Sequence, residues 1–294
     1  MTYHITQYPK SHAYHETFFE VVSYIKKKND DFRFLTFHWS RFEWMFARDC
    51  VKDEDADQIM IFRDQEHNIC GILTFEDRPG VWYAIYDEEP TLKAYMINYF
   101  IEHMKGELVI PHDLMIHTML MDKGYEKKEG WFDPISYFAK DDIHVPTYEG
   151  YTFKSLEEDY RLDQVHHALW LGFDHGPEIT YTEQELKDRQ SMTSSPHFKK
   201  RYTYAAHHGN HYVAYAGIWF IEGSKTALIE PVATVPAHRR KGLAQVCIYH
   251  AILAARKDGA KHIFVGSHTK FYQDIGFKLY DGSYCYQTKK NKEN

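Results

Sequence analysis

Cysteine is scarce in this chain of 294 residues: Cys50, Cys70, Cys247 and Cys285 are scattered, with no CxxC pair. That spacing suggests neither a disulfide framework nor a zinc site and fits a reducing compartment. No stretch approaches the ~18 consecutive apolar residues of a membrane span. The opening MTYHITQYPKSHAYHETFF has no apolar core behind a basic head, so no signal peptide is expected and the chain reads as soluble and cytoplasmic. Positive charge is also short. Against 42 Asp and Glu stand 35 Lys and Arg, and the formal net charge of −7 argues against coating nucleic acid or an anionic membrane. HExxH, GxxxxGK[ST] and GxGxxG are all missing. The histidines fall into local groups (His112/His117, His166/His167, His207/His208/His211, His262/His268), none beside a carboxylate at ligand spacing, so no metal is expected.

What remains is ordinary globular composition, 44% hydrophobic and 26% charged, at a length that favours two domains. Aromatics reach 16%, so large side chains are expected in the cores and along any cleft. Hydrophobic periodicity gives strands alternating with helices throughout. In the second half the order reads β-α-α-β-β-β-α-β-α-β-β. GYTFKSL opens it, and EEDYRLDQVHHALWLGF and TYTEQELKDRQSM are helices, the latter started by a Thr182/Glu185 capping box. RYTYAAHH, HYVAYAGIWFI and TALIEPVATV are strands joined by Gly209-Asn210 and by a Gly223-containing turn. LAQVCIYHAILAARKDGA is a long helix, HIFVG a buried strand, and HTKFYQDIGF a short helix closed by Gly276. FKLYD and YCYQTK read as two final strands.

The first half repeats this order more faintly, from the helix FFEVVSYIKKK to HDLMIHTMLMDKGYEKKEG. Gly124 and Gly130 in MLMDKGYEKKEG have the spacing of Gly276 and Gly282 in FYQDIGFKLYDG, a pattern of tandem duplication. The charged KDDIHVPTYEG between them suits a linker. The expected division is therefore a first domain at 1–140, a linker at 141–149 and a second domain at 150–294.

The densest local chemistry is PVATVPAHRRKGLAQVCIYH, residues 231–250. A β-branched run breaks at Pro236; Arg239, Arg240 and Lys241 follow, then Gly242, Leu243 and Ala244 at the head of a helix. A helix start offers unsatisfied N–H groups and a positive dipole end, and small residues there let a phosphate approach. In an acidic protein this points to a small anionic ligand, with a pyrophosphate cradle as the physical reading. The matching turn of the first half, YDEEPTLKAY, carries Glu88 and Glu89, which would repel an anion.

These residues resemble the acetyl-CoA signature of the GNAT N-acetyltransferase superfamily, Q/R-x-x-G-x-G/A, with Arg239, Gly242 and Ala244 on its defining positions. FYQDIGF is similar to that superfamily's Phe-Tyr followed by Gly-Phe. The resemblance implies an α/β (α+β) fold of two tandem GNAT-like domains, each a mixed, mainly antiparallel sheet flanked by helices. It implies that the second domain uses acetyl-CoA and that the first is a degenerate copy. It implies further that the strand carrying Val232, Ala233 and Thr234 splays from its neighbour to bind pantetheine, and that the N–H groups around Arg240 to Ala244 take the pyrophosphate. An N–H near Val232 or Ala233 would polarise the thioester and stabilise a tetrahedral intermediate. Tyr272 would protonate the leaving thiolate; Leu120 stands opposite it in the first half. Glu230 is the best-placed base for the amine, with a strand ion pair as its other reading, and His238 is a weaker base. The expected acceptor is a small amine or a peptide, and the sequence leaves room for a homodimer. A non-catalytic acyl-CoA sensor or scaffold is the competing function, and a first half that serves assembly is compatible with either.

Overall fold

A computed structural model describes residues 2–11, 14–48 and 51–289; Cys50 lies outside them. In chain order the first elements are β1 (His4–Gln7), α1 (Glu16–Asp30), α2 (Trp39–Ala47), α3 (Asp53–Ala56), β2 (Met60–Arg63), β3 (Ile69–Thr74) and β4 (Val81–Tyr86). Then come α4 (Pro90–His103), β5 (Glu107–Pro111), α5 (Leu114–Asp122), β6 (Tyr125–Lys127) and β7 (Asp133–Phe138). The second half supplies β8 (Thr152–Ser155), α6 (Leu162–Gly172), α7 (Glu183–Thr193), β9 (Thr203–His208), β10 (His211–Trp219) and β11 (Thr226–Thr234). It ends with α8 (Leu243–Lys257), β12 (His262–Val265), α9 (Lys270–Ile275) and β13 (Phe277–Thr288).

The chain forms two compact units, Met1–Pro134 with Asp281–Asn294, and Ile135–Tyr280. This is not the linear division at 140 and 150: each half gives up its final strand. In the first unit the distal part of β13 pairs antiparallel with β5, from Ser283 opposite Pro111 to Tyr286 opposite Leu108. In the second, β7 pairs antiparallel with β12, Tyr137 opposite Phe264 and Ser136 opposite Val265. Two features hid this from the sequence. Pro134 obscures the short alternation of β7, and the DG dipeptide at Asp281-Gly282, a turn signal elsewhere, lies inside one continuous strand.

Each unit is built on one pattern. The first sheet runs β1-β2-β3-β4-β5 and the second β12-β11-β10-β9-β8. Pairing is antiparallel except where β4 meets β5 and β11 meets β12. The capping box of α7 is present, with Thr182 accepting from Glu185 and Glu185 from Thr182. Gly209 turns β9 into β10 at φ 58°. Gly276, φ 114°, stops α9, and Gly124, φ 82°, follows α5, so the paired glycines do matching work. Helix α2, which the periodic reading did not pick out, is buried nearly all round, including Trp39, Phe42, Met45 and Phe46.

The second unit's core lies where α8 packs on β9, β10 and β11. Leu243, Cys247, Ala251 and Ala255 form an i, i+4 stripe against Ala206, Ala214 and Ala216. Burying a Leu- or Ile-sized chain there contributes about 1.5–3 kcal/mol, which fixes the helix and hence the position of its start. Cys70, Cys247 and Cys285 are free and buried. Among the described residues no helix is long and apolar enough to cross a membrane.

Candidate active site

A cleft of about 640 Å³ opens in the second unit, lined from β11 (Val232, Ala233, Thr234), the following turn (His238, Arg239, Arg240, Gly242), the start of α8 (Leu243, Ala244, Gln245) and α9 (Phe271, Tyr272, Asp274, Ile275). Gly172 and Asp174 complete the lining. The parallel ladder between β11 and β12 ends at Leu228 opposite Phe264, while β11 continues to Thr234. On its other side β11 stays paired with β10, and the hydrogen bond from Val235 N to the Val213 carbonyl fixes the phase of that ladder. By antiparallel alternation, Ala233 turns its peptide groups to β10, whereas Val232 and Thr234 turn theirs to the open side. Val232 is thus the residue of the expected pair with a peptide edge free to polarise a carbonyl.

A bulge precedes this segment. Ala216 faces Val232 and Ile218 faces Ile229, so Gly217 alone opposes Glu230 and Pro231. A bulge re-aims side chains. Glu230 is half-buried and does not itself line the cleft, but its negative charge acts on Tyr272. Burial first, then that charge, pushes the Tyr272 hydroxyl up to about 12. The ring is held edge-on to Phe277, with centroids 5.6 Å apart.

Left-handed residues at Arg240 (φ 60°) and Gly242 (φ 78°) turn the chain into α8. Gly242 is the N-cap and offers no side-chain acceptor, so the N–H groups of the first helical turn have no cap. Successive amides in such a turn form an anion-binding concavity. A Cβ on Gly242 would overlap the Tyr148 hydroxyl, so glycine is required by backbone conformation and by this neighbour.

The three cations have separate tasks. Arg239 donates to the Thr234 carbonyl (3.0 Å), the Gly172 carbonyl (3.0 Å) and the Asp174 carboxylate (2.9 Å). It braces the turn against the end of α6, its charge matched by Asp174. Lys241 donates to the Tyr151 hydroxyl at 3.1 Å. Arg240 is exposed beside the helix start. His238 lines the cleft with its Nδ1 3.0 Å from Tyr151 Oη. Gly172 was missed in sequence, and a helix-end small residue was its one signal: a Cβ there would stand 2.6 Å from that of Ala233. Asp174 and Tyr148 lie in segments whose placement no local pattern reveals.

The same turn in the first unit is built otherwise. Glu89 caps α4 by accepting from Leu92 N at 2.9 Å, with Pro90 in the first helical turn. Hydrogen bonds from Thr91, Leu92 and Tyr3 hold its carboxyl at about 2. Glu88 pairs with Lys93 and Arg33; Lys93 also reaches Asp113 at 2.8 Å, and Tyr86 donates to Asp113 at 3.1 Å. Leu120 is fully buried.

Residues 162–277 match the model of the acetyltransferase (GNAT) family. Across nearly the whole chain the fold is similar to that of solved acetyltransferase structures, one of them a tandem GNAT protein. A tandem GNAT protein from the clavulanic acid biosynthesis pathway shares 11% identity at a TM-score of 0.59, covering 97% of this chain and 98% of that one. A GNAT-family acetyltransferase from Colwellia psychrerythraea shares 9% at 0.61, covering 98% and 100%. A GCN5-related N-acetyltransferase from Sphaerobacter thermophilus shares 12% at 0.57, covering 97% and 94%. No curated protein matches the chain. Among the described residues no group of three or more His, Cys, Asp or Glu could hold a metal ion.

Proposed function

We propose that the second unit transfers an acetyl group from acetyl-CoA to a primary amine, a small molecule or a peptide N-terminus, and that the first unit is a non-catalytic copy. One observation carries the reading: the open edge of β11, the uncapped start of α8 and the Tyr272 side chain converge on one cleft. These parts suit a ligand with an amide-bearing arm, a pyrophosphate and a reactive end. Acetyl-CoA supplies the activated acetyl thioester when bound. The open edge of β11 at Val232, with the N–H of Thr234 beyond it, receives the arm as an added strand, and the first turn of α8 receives the pyrophosphate. The N–H of Val232 stabilises negative charge developing on the thioester oxygen.

In the reaction a C–N bond forms, the C–S bond breaks and the amine gives up a proton. An alkylamine with a pKa near ~10.4 arrives mostly protonated, and Glu230, directly or through water, is the acceptor of that proton. The role of Tyr272 is narrower than outright protonation. A phenol at about 12 transfers its proton uphill to a thiolate of pKa ~8.5, so it acts as a fixed hydrogen-bond donor to the departing sulfur. The test is thiol release from acetyl-CoA across a panel of amines, with Tyr272→Phe as control. Turnover on at least one amine, lost in the variant, is expected. Tight CoA binding with no turnover on any amine and no effect of Tyr272→Phe overturns the enzyme in favour of an acyl-CoA sensor.

A further inference from the structure

Helix α9 carries Tyr272 but is only six residues long, and a helix of that length does not hold itself in water. Its side-chain bonds are local: Gln273 Nε2 donates to the His268 carbonyl at 2.8 Å, and Lys270 pairs with Asp274 one exposed turn away. The aim of Tyr272 therefore depends on what grips α9 from outside.

Part of that grip comes from α8. Tyr249 is buried in the second turn of α8, and its hydroxyl stands 2.8 Å from the Ile275 carbonyl, the last of α9. A carbonyl only accepts, so the phenol donates there and its lone pairs are left for two donors. Gln245 Nε2 supplies one at 3.1 Å and Lys140 Nζ the other at 3.4 Å. The hydroxyl is thus fully used and has one orientation. The ring adds a second path of contact. Tyr249 meets Phe138 with centroids 6.0 Å apart, Phe138 meets Phe277 at 5.1 Å, and Phe277 meets Tyr272 at 5.6 Å.

We infer that Tyr249 is a positioning residue for the transfer reaction: by holding the end of α9 it keeps the Tyr272 hydroxyl aimed at the departing sulfur. This assignment rests on the acetyl-transfer reading above. Tyr249 does not itself line the cleft, but Gln245, one turn earlier on the same helix, does. The helix that receives the pyrophosphate is therefore tied, through Tyr249, to the helix that serves the thioester. Such register matters, because a misplacement of ~1 Å costs about 100-fold in rate.

The experiment is a double-mutant cycle on the full chain, read as thiol release from acetyl-CoA, with Tyr249→Phe and Tyr272→Phe made alone and together. Tyr249→Phe keeps the ring and removes the hydrogen bond. It is expected to lower kcat roughly tenfold while calorimetric CoA affinity matches the wild type. In a chain that already carries Tyr272→Phe, the same substitution is expected to lower kcat no further, since no donor is left to aim. Lys140→Met, which takes one donor from the same hydroxyl, should show a smaller loss with the same dependence on Tyr272, and it carries the cycle if Tyr249→Phe does not fold. Equal losses with and without the Tyr272 hydroxyl, a fall in CoA affinity alongside kcat, or an unchanged kcat in both variants overturns the assignment and leaves the acetyl-transfer reading standing. If the wild type turns over no amine, that reading falls and this inference with it.

Discussion

Helices α4 and α8 occupy matching places: each follows a strand that pairs in parallel with its neighbour for three residues, Val81 to Tyr83 in one unit and Thr226 to Leu228 in the other. At α4 the helix start is closed from within, because a carboxylate accepts the first-turn N–H and a proline removes another donor. At α8 the N-cap is a glycine and the donors face a cleft. The strands differ as well. Strand β4 pairs with β3 in unbroken register, whereas β11 bulges at Glu230 and Pro231. Both units share one sheet pattern, β1 to β5 and β12 to β8, and at this place they differ in the side chains that close the helix start and in one extra residue in one strand. An anion site at a helix start is therefore a matter of what is left uncapped.

The sharpest way to break this contrast is to give α8 an acid of its own. Ala244→Asp places a carboxylate in the first turn, where the helix dipole favours it by about 0.3–1 kcal/mol, so the melting temperature should hold or rise. At ~4 Å and an effective dielectric near ~20 the same charge repels a phosphate by about 4 kcal/mol, and calorimetry should show a roughly thousandfold loss of CoA affinity. Unchanged affinity would remove the helix start from the site.

Tyr272→Phe makes the second unit resemble the first, which has Leu120 in this place. The loss of one preorganised donor should lower kcat roughly 100-fold while the CoA affinity measured by calorimetry stays put. A parallel fall in affinity would assign Tyr272 to binding. Glu230→Gln should cost about tenfold in kcat at pH 7, and the gap should close towards pH 10, where the free amine needs no base. A gap that persists at high pH would mark Glu230 as a structural residue of the bulge.

Smaller effects belong to the supports. The Arg239–Asp174 pair is partly exposed and such pairs contribute about 0–1 kcal/mol, so Asp174→Asn should weaken CoA binding by less than about fivefold. In the first unit, Glu89→Ala removes a cap and should lower the melting temperature by roughly 2–4 °C without creating CoA binding, since Glu88, Lys93 and Asp113 still close the turn. The Glu89 carboxyl is depressed in the folded state to about 2, so its contribution is complete above the unfolded value near ~4.3 and disappears as pH falls through 2. The difference between wild type and Glu89→Ala in thermal melts should narrow over that window.

Much of this contrast was readable in the chain. The α8 turn announces itself because charge, glycine and a β-branched run are all local, and the capping box and the paired glycines were legible for the same reason. The sequence did not disclose that Arg239 faces Asp174, that Tyr148 rests on Gly242, or that Ala233 turns its peptide groups to β10. Each of these depends on segments brought together by the sheet, and in the last case on ladder phase. Strand β7 and the continuity of β13 were missed because short strands with an internal proline or an Asp-Gly pair carry turn signals stronger than their alternation.

The exchanged final strands bear on how such a chain can be made. During synthesis β5 waits for residues 283–286, more than 170 positions later, before its sheet has a partner on that side. The first half therefore has no finished state on the ribosome, although domains generally complete in order from the N-terminus. A cut at residue 140 would strip β7 from β12 and leave β13 with nothing to join, so neither fragment inherits a whole sheet. Gene fragments that follow the apparent duplication should give insoluble halves, and co-expression of the two should recover what neither yields alone.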